Sequence, residues 1–194
     1  MASPRAANFV QWWEGRQRLK QERYLSFVEI AEAEDVGSLD ALLDRARDDD
    51  ELSDFVEAVI EHVVKESSRA KVAAFGRLLR LMTDTGDDTQ VDEAWLLLRA
   101  VAELDPPHLR VLRRLREEGN RYHGVNDYAL AGMFERGTVV LYPLLKTLER
   151  HGLAGPLRPA PAGDPDSPIE WAIWDFGLLF LDRLFPPGSQ RRTS

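Results

Sequence analysis

Apolar residues recur at helical spacing along most of this chain, and Gly, Pro and acidic runs interrupt them. Residues 9–35 read as a helix with apolar clusters at both ends, Phe9, Val10, Trp12 and Trp13 at one and Leu25, Phe27, Val28 and Ile30 at the other. Its centre is polar except for Leu19, so that stretch is expected to face solvent. Gly37 stops it, and Ser38 can cap a short helix, LDALLDRAR. The run Asp48-Asp49-Asp50-Glu51 then places negative charge at the start of the next helix, where the helix dipole favours it. That helix covers residues 52–83, with Phe55, Val56, Val59, Ile60, Val63 and Val64, then Val72, Phe75, Leu78, Leu79 and Met82 at helical spacing. Ser67-Ser68 is a point at which it can divide. Residues 85–90, TGDDTQ, read as a loop. Residues 91–104 form the cleanest amphipathic helix, with Val91, Ala94, Trp95, Leu98, Val101 and Ala102 on one stripe. Asp105-Pro106-Pro107 ends it and begins another, with Asp as cap and Pro at the first helical position.

The pattern changes after this point. Residues 108–118 place Leu109, Leu112 and Leu115 on one side and Arg110 and Arg114 nearly opposite, a side that Arg121 joins. Asn126 can cap a short helix, DYALAGMFE. Gly137-Thr138 then turns into a helix that Gly152 ends, with Pro143 inside the pattern. Either the regular helix begins near Tyr142 with Pro143 in its first turn, or residues 139–142 form a kinked preceding turn. A short strand and an irregular Pro- and Gly-rich stretch, residues 155–168, come next. Ile169, Trp171 and Ile173 alternate with Glu170, Ala172 and Trp174, as in a half-buried strand. Asp175 can cap a final helix, which Pro186-Pro187-Gly188 ends. The order helix, helix, helix, strand, loop, strand, helix spells a winged helix. The fold class expected is therefore mainly α: an acidic helical region over 1–104, a winged-helix-like domain with a small β-hairpin wing over 105–187, and a disordered tail over 188–194.

Charge sharpens that division. Residues 1–104 carry 13 Lys+Arg against 22 Asp+Glu, and residues 105–194 carry 12 against 11. An acidic body with a near-neutral end leaves only the second half suited to approach nucleic acid. The wing loop has Arg158 against Asp164 and Asp166. The chain has no Cys, which excludes disulfides, thiolate nucleophiles and Cys-based zinc sites. No apolar h-region follows the N-terminus, and the most apolar segment, 171–185, carries Asp175, Asp182 and Arg183 and is too short to span a bilayer. A cytoplasmic protein without membrane contact is expected.

The run Tyr142-Pro143-Leu144-Leu145-Lys146-Thr147-Leu148-Glu149, closed by Gly152-Leu153, resembles the recognition-helix signature of PadR-like winged-helix regulators. Residues 173–177 look like the end of the wing and the start of the next helix in PadR and MarR relatives. The resemblance covers roughly 105–185, with Val139-Val140 reading as an insertion. The N-terminal half more loosely resembles uncharacterised proteins of high-GC bacteria. The winged-helix resemblance implies a dimeric regulator that binds double-stranded DNA in sequence-specific fashion, with this helix in the major groove. The residues that would meet DNA are Arg136, Thr138, Tyr142, Lys146 and Arg150, with Arg110, Arg114 and Arg121 as phosphate contacts.

Phe9, Trp12 and Trp13 suit an oligomer interface, because adjacent helical residues point about 100° apart and two indoles are hard to bury in one narrow stripe. For the C-terminal aromatics, Trp171, Trp174, Phe176, Phe180 and Phe185, core packing is the expectation. His62, His108, His123 and His151 lack metal-ligand spacing, and no phosphate-binding glycine loop or GxSxG occurs. An EF-hand register from Asp84 would put Trp95 where the closing Glu belongs. No enzyme activity, metal or cofactor is expected. Two alternatives stay open: a protein-interaction module whose winged helix does not touch DNA, and an acidic mimic acting on a nucleic-acid enzyme.

Overall fold

A computed structural model describes residues 44–83, 88–119, 123–157 and 168–186. The expectations for Phe9, Trp12, Trp13, Arg121, Arg158 and the tail lie outside these residues. The chain is mainly helical, with one small antiparallel sheet, and it divides into two compact units at Val101 and Ala102. Among the described residues no helix is long and apolar enough to cross a membrane.

The N-terminal unit is built on helices α1 (Asp50–Lys65), α2 (Arg69–Thr83) and most of α3 (Asp88–Glu103). Asp49 caps α1 by accepting the Leu52 N–H at 3.0 Å, and Asp50 and Glu51 fill the first turn, so the acidic run does the dipole work its position suggests. The apolar repeats close over one another: Phe55, Val59, Val63, Ala74, Phe75, Leu78, Leu79 and Leu97 are fully buried. Phe55 meets Trp95 edge-on, with ring centroids 5.1 Å apart.

The helical pattern over 52–83 divides at Glu66–Ser68, where Ser67-Ser68 offered a break. The Glu66 carboxylate accepts the N–H groups of Ser67 at 2.8 Å and Ser68 at 2.7 Å, and its second oxygen pairs with Lys71 Nζ at 2.8 Å. These bonds serve the start of α2, and the Lys71 side chain is almost wholly buried beneath them. Of the loop expected over 85–90, residues 88–90 are instead helical, since α3 starts at Asp88, and residues 85–87 lie outside the described residues. Asp and Thr favour turns, but they equally favour the first turn of a helix.

In the C-terminal unit α4 (Pro106–Glu118) begins after Asp105, with Pro at its first positions as expected. His108 adds a cap that the spacing did not suggest: its Nδ1 accepts the Asp105 N–H at 3.0 Å, and its ring is buried. Then come β1 (Val125–Asn126), α5 (Asp127–Ala131), α6 (Thr138–Arg150), β2 (Ala154–Pro156), β3 (Glu170–Ile173) and α7 (Asp175–Leu184). This is the element order of a winged helix. Helix α6 packs on α4 and α5, and α4 also supports β3 and α7. Leu112 and Leu115 from α4 and Leu141, Leu145 and Leu148 from α6 make a core closed by Phe180, Leu181 and Leu184.

The wing is one strand larger than the expected hairpin. β3 is central, paired antiparallel with β2 (Gly155 opposite Ala172) and with β1 (Val125 opposite Trp171). Two residues of β1 have no periodicity to read, which is why the strand was missed. Alternation on β3 is also incomplete, because Ala172 is buried together with Trp171 and Ile173. Two further expectations are corrected. Trp174, not Asp175, stands at the cap position of α7, and Asp175 is its first helical residue. Of the C-terminal aromatics, Trp171, Phe180 and Phe185 are buried, Phe176 is half-buried, and Trp174 is 42 % exposed.

Candidate functional site

Helix α6 is bounded by two glycines in left-handed backbone, Gly137 (φ 50°) before it and Gly152 (φ 67°) after it. At the C-terminal end Leu153 N–H bonds the Leu148 carbonyl and Gly152 N–H bonds that of Glu149, both at 2.9 Å. This paired arrangement satisfies carbonyls that the helix would otherwise leave open, and it needs a residue tolerant of positive φ. The helix starts at Thr138, as Gly137-Thr138 suggested, so Pro143 lies in its second turn and the regular helix does not wait until Tyr142. Burial explains why. Leu141 is as fully buried as Leu145 and Leu148, and this i, i+4, i+7 set forces helical backbone on both sides of the proline. The proline itself is exposed.

The exposed side of α6 is a single stripe: Val139, Tyr142, Pro143, Lys146 and Arg150. Three of the residues expected on a DNA-facing surface, Tyr142, Lys146 and Arg150, share it. Thr138 is half-buried at its flank, and exposed Arg136 precedes the helix. The residue that sequence reasoning missed is Val139. It read as part of an insertion, yet it has the greatest exposure, 76 %, of any large hydrophobic among the described residues. Its position on a wheel with Tyr142 and Lys146 was the available signal.

Each polar member of the stripe is held. The Tyr142 hydroxyl donates to Asp127 Oδ2 at 2.7 Å. Asp127 is buried at the start of α5, and its other oxygen accepts the N–H of Tyr128 at 2.9 Å and of Ile169 at 3.3 Å. One carboxylate thus links α5, α6 and the chain entering β3. The Asp127 bond, then burial and the charge of the same carboxylate, push the Tyr142 phenol up to about 12. Asp127→Asn is therefore expected to bring Tyr142 ionisation back toward the ordinary phenol range, read by ultraviolet titration against Tyr142→Phe.

Lys146 Nζ pairs with Glu149 at 2.6 Å and lies 5.8 Å from the centroid of the buried Trp171 ring. Arg150 pairs with Glu103, which also meets His151 Nε2 at 3.0 Å. The His151 bond, opposed by burial and helped by the charges of His151 and Arg150, holds the Glu103 carboxyl below its usual range. On α4 the exposed Arg114 pairs with Glu118. Arg110 and Arg136 are exposed and form no ion pair with a described residue. The site is thus an apolar half, Val139, Tyr142 and Pro143, continued by a cationic half whose charges already have acidic neighbours. Among the described residues no three His, Asp or Glu side chains gather as a metal site. Compared with protein-family models, curated proteins and solved structures, the chain matches none.

Proposed function

We propose that the C-terminal unit binds duplex DNA as a winged-helix regulator acting as a homodimer, with α6 in the major groove and the β2–β3 wing beside it. The observation that carries this reading is the exposed stripe of α6. It is a rigid helix face, braced by α4 and α5, that presents Tyr142, Lys146 and Arg150 outward with Arg136 beside its start. The second helix of such a pair is the one that reaches base edges, and cations farther along it meet phosphates. The ion pairs with Glu149 and Glu103 are surface pairs of the kind worth about 0–1 kcal/mol, so a phosphate can displace the acid at small cost.

The test is binding of the full chain to genomic DNA fragments across a salt series. Lys146→Ala with Arg150→Ala is expected to weaken binding and to lower the slope of log affinity against log salt by roughly 4, since each of the two protomers loses two phosphate contacts. No retardation at micromolar protein in low salt rejects the reading.

A protein-interaction module is the second reading. The pairing of Lys146, Arg150 and Arg114 with carboxylates favours it, since this leaves the face near neutral. It requires a protein partner that the same double variant still retains.

A further inference from the structure

Val139 gives the DNA reading a testable content. The residue sits in the first turn of α6, on the wheel position shared by Tyr142, Lys146 and Arg150. Leaving a valine 76 % exposed forfeits the burial that it can gain, and nothing in the C-terminal unit covers it among the described residues. Its neighbour on the stripe offers no donor outward either, because the Tyr142 hydroxyl proton is spent on Asp127. The leading half of the stripe therefore presents apolar surface, and the trailing half presents Lys146 and Arg150, with Arg136 close in sequence before the first turn.

This polarity matches one partner surface in particular. A helix in the major groove reads bases with its N-terminal residues. Most groups that the bases display there are hydrogen-bond donors or acceptors; of the apolar ones, the C5-methyl of thymine projects a whole carbon farther than the C5–H of cytosine. A valine can neither donate nor accept. Any donor or acceptor it covered would lose water without gaining a partner, so the contact with a base edge that favours it most is the methyl. The cations that follow on the same stripe suit the flanking phosphates.

We infer that Val139 is a specificity-determining residue that contacts a thymine C5-methyl, so that the sites bound contain thymine where the first turn of α6 meets the groove. The inference rests on the DNA reading above.

The experiment starts with selection of 40-bp duplexes from a random pool by the full chain at low salt. The enriched duplex is then remade with deoxyuridine in place of each thymine in turn, which removes only the methyl group. At one position per half-site this replacement is expected to weaken binding about 3–10-fold, the size of one or two buried methyls. Val139→Ala is expected to bind the thymine and deoxyuridine duplexes equally while keeping the salt dependence of the wild type. Val139→Thr retains one methyl and is expected to keep most of the preference. Indifference of the wild type to every replacement overturns the inference and leaves DNA binding standing. A preference that persists in Val139→Ala overturns it as well. Failure to enrich or retain any duplex removes the DNA reading and this inference together. The side chain is largely in solvent, so the variants are expected to fold, and an unchanged far-ultraviolet circular dichroism spectrum checks that.

Discussion

Replacing Gly177 by alanine is expected to destabilise the C-terminal unit by on the order of 3 kcal/mol, near the upper end of what overpacking costs. In most helix interiors the same change is favourable, because alanine is the better helix former. Here a Cβ would stand 2.0 Å from the Leu153 carbonyl oxygen and 2.8 Å from Ile173 Cγ1. The first of these is backbone, and the same oxygen accepts the Trp174 N–H at 3.0 Å. Neither can retreat without parting α7 from the end of α6 and the edge of the wing. At about 4–8 °C per kcal/mol for a unit of this size, the midpoint of thermal unfolding should fall by more than 10 °C. Gly132→Ala is the control: its Cβ would meet no atom closer than 3.4 Å, and its backbone is right-handed, so a change within about 0.5 kcal/mol is expected. Equal effects of the two substitutions would falsify the close-packing account.

The second large effect is expected at Glu66. Removing its carboxylate by Glu66→Ala takes the acceptor from two N–H groups at the start of α2 and the counter-charge from Lys71, whose side chain is 6 % exposed. Breaking a buried pair from one side costs about 3–5 kcal/mol, and the partial exposure of Glu66 reduces this to about 2–3 kcal/mol. Glu66→Gln keeps an oxygen for the N–H groups and is expected to lose less. Glu66→Ala combined with Lys71→Met is expected to recover part of the loss, because no charge is then left without its partner. Urea unfolding of the four proteins provides the comparison.

The same group makes a pH prediction. Burial alone would raise the Glu66 pKa, but the Lys71 hydrogen bond, the Ser68 N–H, the Lys71 charge and the Ser67 N–H outweigh it, and the pKa is lowered. The folded state therefore prefers the carboxylate. Its contribution is fully present above the ordinary glutamate range and disappears as the pH falls through the lowered value. The stability gap between wild type and Glu66→Gln should narrow on acidification through that window and stay constant above it.

Much of the C-terminal unit is legible residue by residue. Gly152 after a leucine repeat marks the end of α6, Asn126 reads as a cap and accepts the Tyr128 N–H at 2.7 Å, and Asp105-Pro106 reads as a helix start. These signals are local: a cap, a turn residue and a 3.6-residue period all act within one or two turns of chain. Pro143 misled for the same reason. Locally it ends helices, and only the burial of Leu141 against other elements holds the backbone helical past it. Strand β1 escaped notice because a two-residue strand is defined by its partner β3 rather than by its own composition.

The candidate site divides along the same line. Its helix and its cations could be named in advance, but the distant partners of Arg150 and Tyr142 could not. Glu103 lies 47 residues before Arg150, and Asp127 lies 15 before Tyr142, so neither pairing leaves a spacing signature. Val139 was passed over because, beside Val140, it read as an insertion, and its place on the exposed face shows only once the direction of the helix is known.

By itself, the order of apolar and breaking residues determined a mainly helical chain, the position of the leucine stripe on α6 and the strand after the loop, because those follow from periodicity and backbone sterics. Tertiary structure decided which face of α6 meets solvent, which carboxylate sits beside Arg150, and that the wing has a third strand. Each of these depends on contacts between segments far apart in the chain, where burial and charge are set by what folds alongside.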